Sequence, residues 1–460
     1  MSIINQQKIV SHGNREGREI AIDIASHAIR SVSSYNALKK IINISSEELN
    51  VGKLRYQLSD INNIHIFGAG KATMGQARAL DELLGSRITK GIIIVKKGQR
   101  QPLINIEVVE GGHPIPDEGS YQGAKKILEA AKHVSEGDLV FLCDSGGSSA
   151  LMSHPAEGSR ISFEDEKKVT QQLLMSGAPI YEVNAVRRHI TAMKGGRLQK
   201  QLLTKGAEVI NFWIPDAPRI RHHPDPWTPR QGGWEDQTTF QDAVNVLRRY
   251  NLWDETPDPI KRHLTQGLDG LIPETPKDYA GMKAHIFTLG SITAACEAAE
   301  RRASELGLNS LLMTTVLEGE SREAGIVLAS IAKEVAGNQR PIKPPCALIF
   351  GGETTVTITG ESGKGGPSQE LALGFATKID GNEKIILLAL DTDGTDGMTE
   401  FAGGLVDGYT MERAGKAGFD VYKTLDTHSS SQLLEALDDA VYTGSTDTNV
   451  CDLNIVVISE

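Results

Sequence analysis

The sequence predicts an α/β protein: a parallel sheet covered by helices on both faces, followed by a second α/β domain. Three observations carry this. Short apolar runs (Ile64–Phe67, Gly91–Val95, Ile104–Val109, Asp138–Asp144) alternate with segments of helical period such as Ser120–Ala131. The runs lack a polar alternation, as strands buried on both faces do. Two of them empty into glycine turns that lead into a helical pattern, Gly68-Ala69-Gly70-Lys71 and Asp144-Ser145-Gly146-Gly147-Ser148-Ser149. A ligand site then forms at the carboxyl ends of the strands, which makes the first domain Rossmann-like.

Composition narrows the class. At 460 residues the chain exceeds one ordinary core, and 39% hydrophobic with 23% charged residues describes a soluble globular protein. No run reaches the ~18 apolar residues of a membrane span, and the polar start, Met1 to Arg15, lacks the hydrophobic centre expected of a signal peptide. Cys143, Cys296, Cys346 and Cys451 have no pair spacing, so a zinc site or a disulfide framework is not expected and a cytoplasmic location is. A net charge of -11 argues against nucleic acid as partner, while a small anionic substrate remains compatible with a locally positive pocket.

Taken in order, Arg15–Ile42 has the spacing of one long helix, and Ile64–Phe67 starts the first sheet. A cation-rich helix is expected over Val183–Leu198, carrying Asn184, Arg187, Arg188 and Lys194. Strand Ala207–Ile214 runs into Pro215–Gln237, a proline- and histidine-rich stretch that breaks every regular pattern and is long enough to be functional. The polar segment Leu271–Lys283 separates a domain of residues 1–275 from one of residues 276–460. The second repeats the alternating style, with strands expected at Ser310–Thr315, Pro345–Gly351, Thr354–Thr359, Ile385–Leu390 and Leu453–Ile458.

Lys71 follows a glycine turn at a strand-to-helix junction, where a mobile point charge can neutralise a phosphate or carboxylate. Ser145, Gly146, Gly147, Ser148 and Ser149 offer backbone N–H groups and hydroxyls to the same kind of anion, although an isolated Gly-Gly-Ser-Ser is also an ordinary capped turn. Asp391, Asp393 and Asp396 crowd one strand end. Two readings stand level there: a nucleotide's magnesium, which needs only one or two carboxylates, or a turn capped by its own backbone. His113, His222 and His223 are acid–base candidates, the last two also metal-ligand candidates, and the basic helix face is either an anion site or simply solvated.

With these residues in place a resemblance emerges. Gly68-Ala69-Gly70-Lys71-Ala72, Gly111-Gly112-His113-Pro114, Asp144–Leu151, Asn184–Arg197, Leu317-Glu318-Gly319-Glu320, Gly351-Gly352-Glu353-Thr354, Thr392–Gly397 and Thr443–Val450 occur in the order found in glycerate 2-kinases, sometimes labelled hydroxypyruvate reductases. The chain resembles that family over nearly its whole length. The resemblance implies a C-terminal MOFRL-like domain and transfer of the ATP γ-phosphoryl group to a hydroxyl of a small hydroxy acid, D-glycerate or a related sugar acid, with Mg2+. It implies catalytic roles for Lys71, Asp393 and Asp216. Substrate or phosphate binding is expected of Ser145 to Ser149, His113, Asn184, Arg187, Arg219, Arg221 and His222. Nucleotide binding is expected of Gly68, Gly70, Gly352, Glu353 and Thr354, and metal binding of Asp393 and Asp396. A homodimer is one expected assembly.

The chain departs from the family at three places. Gly365-Gly366-Pro367-Ser368-Gln369-Glu370 has proline where the family carries an arginine, and proline cannot replace a guanidinium. After Ile214 only Asp216 matches the family's polar segment. Ser445, Asp447 and Cys451 stand where proline, glycine and asparagine are usual. Arg219 or Arg221 is the expected replacement for the missing arginine. The alternative to a kinase is a lyase, isomerase or hydrolase of a hydroxy acid or its phosphate on the same scaffold.

Overall fold

The computed structural model describes residues 3–216, 230–232, 234–358, 360 and 362–460. They form two compact units. One holds the described residues of Ala37–Trp213 and Pro224–Leu289; the other holds those of Met1–Asn36, Ile214–His223 and Gly290–Glu460. The division at 275 treats the domains as consecutive, whereas the units interleave along the chain.

The first unit is built on the strands β1 (Ile64–Ala69), β2 (Ile88–Lys96), β3 (Ile106–Gly111), β4 (Leu139–Ser145), β5 (Glu208–Ile214) and β6 (Ala284–Thr288). Their order is β3-β2-β1-β4-β5-β6, with Arg230–Gln231 at the far edge. Pairs β1–β2, β2–β3, β1–β4 and β5–β6 are parallel. This is the order of a doubly wound sheet, and the chain reverses direction across the sheet between β1 and β4. All six residues of β1 are buried. Phe67, Ala69, Ile92 and Ile94 pack with Ala124, Ile127 and Leu128 of helix Glu118–Ala131 and with Leu202 of helix Arg197–Thr204. A second core joins four helices, Phe163–Met175, Ile180–Ile190, Phe240–Arg249 and Asp258–Leu268, through Val169, Leu173, Val186, Phe240, Leu247 and Leu264. Phe163–Met175 starts at a capping box made by Ser162 and Asp165.

The second unit contains β7 (Asn309–Leu317), β8 (Cys346–Gly352), β9 (Ile385–Asp391), β10 (Gly403–Asp407) and β11 (Asp452–Ile458). The order is β7-β8-β11-β9-β10, ending in Ala440–Val441. Only β7–β8 is parallel; β11 lies antiparallel between β8 and β9. The second half is thus a mixed sheet, since β11, the last strand of the chain, inserts at its centre. Helix Arg15–Ser31 packs on β9, β11 and helix Ile292–Glu305. Its Arg18 is fully buried, donating from Nε to Asp407 at 2.6 Å and from Nη1 to Asp439 at 2.7 Å.

Three local expectations are corrected. The long helix from Arg15 is two, Arg15–Ser31 and Ser34–Ile41, because the Ser34 N–H and hydroxyl both donate to the Asp447 carbonyl, at 2.9 and 2.7 Å. Residues 354–358, the described part of the strand expected from Thr354, do not form one. They pair with a turn, the Thr355 N–H donating to the Gly319 carbonyl at 2.9 Å and the Thr357 N–H to the Glu320 carboxylate at 3.0 Å. The helix carrying Arg187 ends at Ile190, where Thr191 turns extended to bridge with Pro155. Lys194 then lies in the following turn, and Arg197 opens the next helix. Among the described residues no helix is long and apolar enough to cross a membrane.

Candidate functional site

The first unit presents its polar loops at the β1/β4 switch. Ala69 lies opposite Asp144 in the register, so the turns after both strands emerge side by side. They are stitched together: the Lys71 N–H donates to the Gly146 carbonyl at 2.9 Å and the Ala72 N–H to Ser145 Oγ at 3.0 Å. Ser145 is buried and its hydroxyl also faces that of Thr73 at 3.3 Å, so it serves the turn itself. Ser148 and Ser149, half-buried, open the short helix that follows.

Two glycines permit this approach. Gly70 has φ +144°, and a Cβ there would stand 2.1 Å from Ser145 Oγ. Gly147, at φ +87°, has room only because it lacks a side chain; a Cβ would lie 3.0 Å from the His113 ring and 3.3 Å from Lys71 Cγ. Lys71, His113 and Gly147 therefore converge. Gly70→Ala is expected to destabilise by roughly 1–3 kcal/mol through this overlap. A thermal melt checks it, and an unchanged Tm would show the two turns to be separable.

Beyond the serine loop the chain reaches a buried charged cluster. Glu166 is fully buried; its Oε1 accepts from the Ser153 hydroxyl and, at 3.3 Å, from Lys194 Nζ. Arg187 shares the neighbourhood and is 3% exposed. Burial pulls Arg187 down to about 10 and Lys194 down to about 8, with Glu166 opposing both and Arg187 adding to the fall at Lys194. Asn184, half-buried, stands one turn before Arg187 on the same helix. Arg188 points elsewhere, pairing with Asp236 at 3.0 Å. Residues between Ser153 and Glu166 also wall a cavity of about 510 Å3, with Tyr121, His154, Arg160 and Phe163 on its lining.

The second unit gathers carboxylates where β8 and β9 end and β11 begins. Asp452 is the register partner of both Gly352 and Asp391. Burial, then Asp391, Asp396 and Glu353, push its carboxyl well above the usual range. Asp393 folds onto its own loop, accepting from the Thr395 N–H and hydroxyl, each at 2.7 Å. Asp396 accepts from the Ser368 and Gln369 N–H groups at 3.0 and 2.9 Å and from Gln369 Nε2 at 3.0 Å. Burial raises Asp396 to about 7 against those donors.

Asp396 thus caps helix Pro367–Ala376, in which Pro367 occupies the first turn. Among the described residues no group of three or more His, Cys, Asp or Glu side chains is arranged to hold a metal ion. Thr354 is buried and accepts from the Ser321 hydroxyl at 2.9 Å, whereas Glu353 and Asp216 are exposed. Arg219, Arg221, His222 and His223 lie outside the described residues.

Sequence reasoning did not single out Glu166 or Asp452, and weighed Lys194 only as one cation of a basic helix face. Glu166 had a signal: it falls on the helical stripe of Phe163, Val169, Thr170 and Leu173, a position that burial would normally deny to a carboxylate.

Residues 20–265 match a family described as a domain of unknown function (DUF4147), and residues 346–452 match the MOFRL family. A glycerate 2-kinase from Pyrococcus horikoshii is 40% identical over 442 residues, 96% of this chain and 97% of that protein. The chain belongs to the glycerate 2-kinase family. A D-glycerate 2-kinase from Thermotoga maritima is 37% identical over 96% of this chain and 98% of its own length. The crystal structure of a Thermotoga maritima glycerate kinase covers 96% of this chain and 99% of that one, with a TM-score of 0.77 at 36% identity. Family membership makes the protein an enzyme of the glycerate-kinase type.

Proposed function

We propose that this enzyme transfers the γ-phosphoryl group of ATP to a hydroxyl of a small hydroxy acid, D-glycerate or a related sugar acid. The observation that carries the reading is the convergence of Lys71, His113 and Gly147 at the switch point of a doubly wound sheet. Phosphoryl transfer asks the protein for positioning and charge neutralisation above all. Lys71 neutralises the transferring group, while Gly146, Gly147 and the hydroxyls of Ser148 and Ser149 hold anionic oxygens. Arg187 and Asn184 receive the acid. Asp216 and Asp393 are the groups assigned to the attacking hydroxyl.

Asp391 and Glu353 beside the buried Asp452 would favour positive charge brought in by the nucleotide, because carboxyls this close need either protons or a cation near them. Magnesium arriving with ATP would supply that charge and would neutralise phosphate oxygens. A cytoplasmic location fits four cysteines that are all buried and unpaired.

Incubation with ATP, Mg2+ and a panel of C3 to C6 hydroxy acids tests the reading. ADP release dependent on one acid, strongest with D-glycerate, is expected. Consumption of an acid or its phosphate without ATP would replace the kinase by a lyase, isomerase or hydrolase.

A further inference from the structure

We propose that Glu166 is a specificity-determining residue: with Arg187 and Asn184 it forms a pocket for a hydroxy monocarboxylate, Arg187 taking the carboxylate and Glu166 a hydroxyl. Lys194 and Ser153 hold Glu166 in place and are positioning residues. The proposal deepens the kinase reading by naming what selects its acceptor.

The argument starts from unspent hydrogen-bonding capacity. Among the described residues, Nη2 of Arg187, Oε2 of Glu166 and Oδ1 of Asn184 are inaccessible and have no hydrogen-bond partner. Arg187 is 3% exposed and Glu166 fully buried, so water does not reach them freely. Each such atom left unmade is costly, and a charged one more so. The three atoms form a short inventory: one guanidinium donor and two acceptors. A carboxylate satisfies the donor, and hydroxyl groups satisfy the acceptors.

Charge selects within that class. Arg187, Lys194 and Glu166 carry two positive charges and one negative, so a monoanion neutralises the cluster. A dianion overcompensates it, and a phosphate ester spends its oxygens as acceptors beside Glu166. The lowered proton affinities of Arg187 and Lys194 point the same way, since a bound carboxylate stabilises both cations. A purely structural ion cluster would close on itself. Here Ser153 and Lys194 both serve Oε1 of Glu166 and neither serves Oε2.

Calorimetric titration of the full-length protein without nucleotide tests this, using D-glycerate, propionate and glycerol as probes. D-Glycerate is expected to bind, propionate more weakly and glycerol not detectably. In Glu166→Gln the preference for D-glycerate over propionate is expected to fall about tenfold, since hydrogen bonds to a charged acceptor are worth that much. A residue that only supports the fold would shift both ligands by one factor, and that result overturns the proposal. Asn184→Leu, a half-buried site, is the second variant should Glu166→Gln fail to fold; an unmoved preference there also overturns it. Arg187→Lys is expected to weaken both acids alike. Phosphoryl transfer is read separately by ADP release. A protein with these binding responses but no ADP release keeps the pocket and loses the kinase reading; ADP release with an unmoved preference does the reverse.

Discussion

Lys71→Ala is expected to keep its fold and lose turnover by roughly a hundred- to a thousandfold, equivalent to on the order of 3–4 kcal/mol of transition-state stabilisation. Two structural facts make the effect selective. Lys71 precedes helix Thr73–Leu84 and is half-buried, so its side chain is not part of the core. Its backbone N–H, which ties the turn to Gly146, survives in alanine. Steady-state rates with ATP and the acceptor acid should fall while the thermal melt stays within a degree or two. A variant retaining most of its kcat would move the phosphate site away from the β1/β4 junction. The calorimetric response to D-glycerate is expected to persist, because Arg187 and Glu166 belong to a different loop system.

The largest stability effect is expected at Arg18→Met. The guanidinium is fully buried between Asp407 and Asp439 and also donates to the Ile9 carbonyl at 3.0 Å. Burial opposes its charge, and Asp439 and Asp407 outweigh burial, so its proton is held more tightly than usual. Removing it strands two buried carboxylates, at a cost of roughly 3–5 kcal/mol, against about 5–15 kcal/mol for a typical domain. Asp439 retains Arg413 at 3.0 Å and His12 at 2.8 Å, which should spare it part of that cost. The pH dependence has a definite sign. Burial pushes the Asp439 carboxyl up, but Arg18, His12 and Arg413 together hold it below the ordinary range. A depressed carboxyl contributes stability above its unfolded pKa and loses it as pH falls through the lower folded value. The native protein should therefore resist acid down to about pH 4, and Arg18→Met should begin to unfold at higher pH. Urea melts at pH 7 and pH 5 check both statements; equal midpoints for the two proteins would make the cluster energetically idle.

Much of the first unit was legible because its signals are local. Buried parallel strands show as unbroken apolar runs, and a glycine turn followed by a lysine marks where a strand meets a helix. Lys71, Gly147 and His113 were readable on that basis. The rest depends on partners far away in the chain. Asp452 looks like an ordinary strand start until antiparallel pairing sets it against Asp391 and Gly352. Residues 354–358 have strand composition, yet their donors go to a turn around Glu320. The helix of Arg187 was drawn too long because Lys194 and Arg197 continue the run of cations, while Thr191 bridges to Pro155 and breaks it. The cap that Asp396 places on a helix start was not legible either, because the N–H groups it accepts from lie 28 and 27 residues away in sequence.

The placement of Arg15–Ser31 bears on biogenesis. This helix is translated well before β9 and β11, the two strands it covers. Until β11 emerges, its apolar face (Ile22, Ala25, Ile29) lacks part of its native surface, with only helix Ile292–Glu305 and β9 to pack on. The intervening unit can complete its own core in the meantime, but the outer one must wait for β11. Such long-range closure is slow and leaves the nascent chain open to aggregation. Loss of β11 alone would therefore also uncover part of a helix far upstream in the chain.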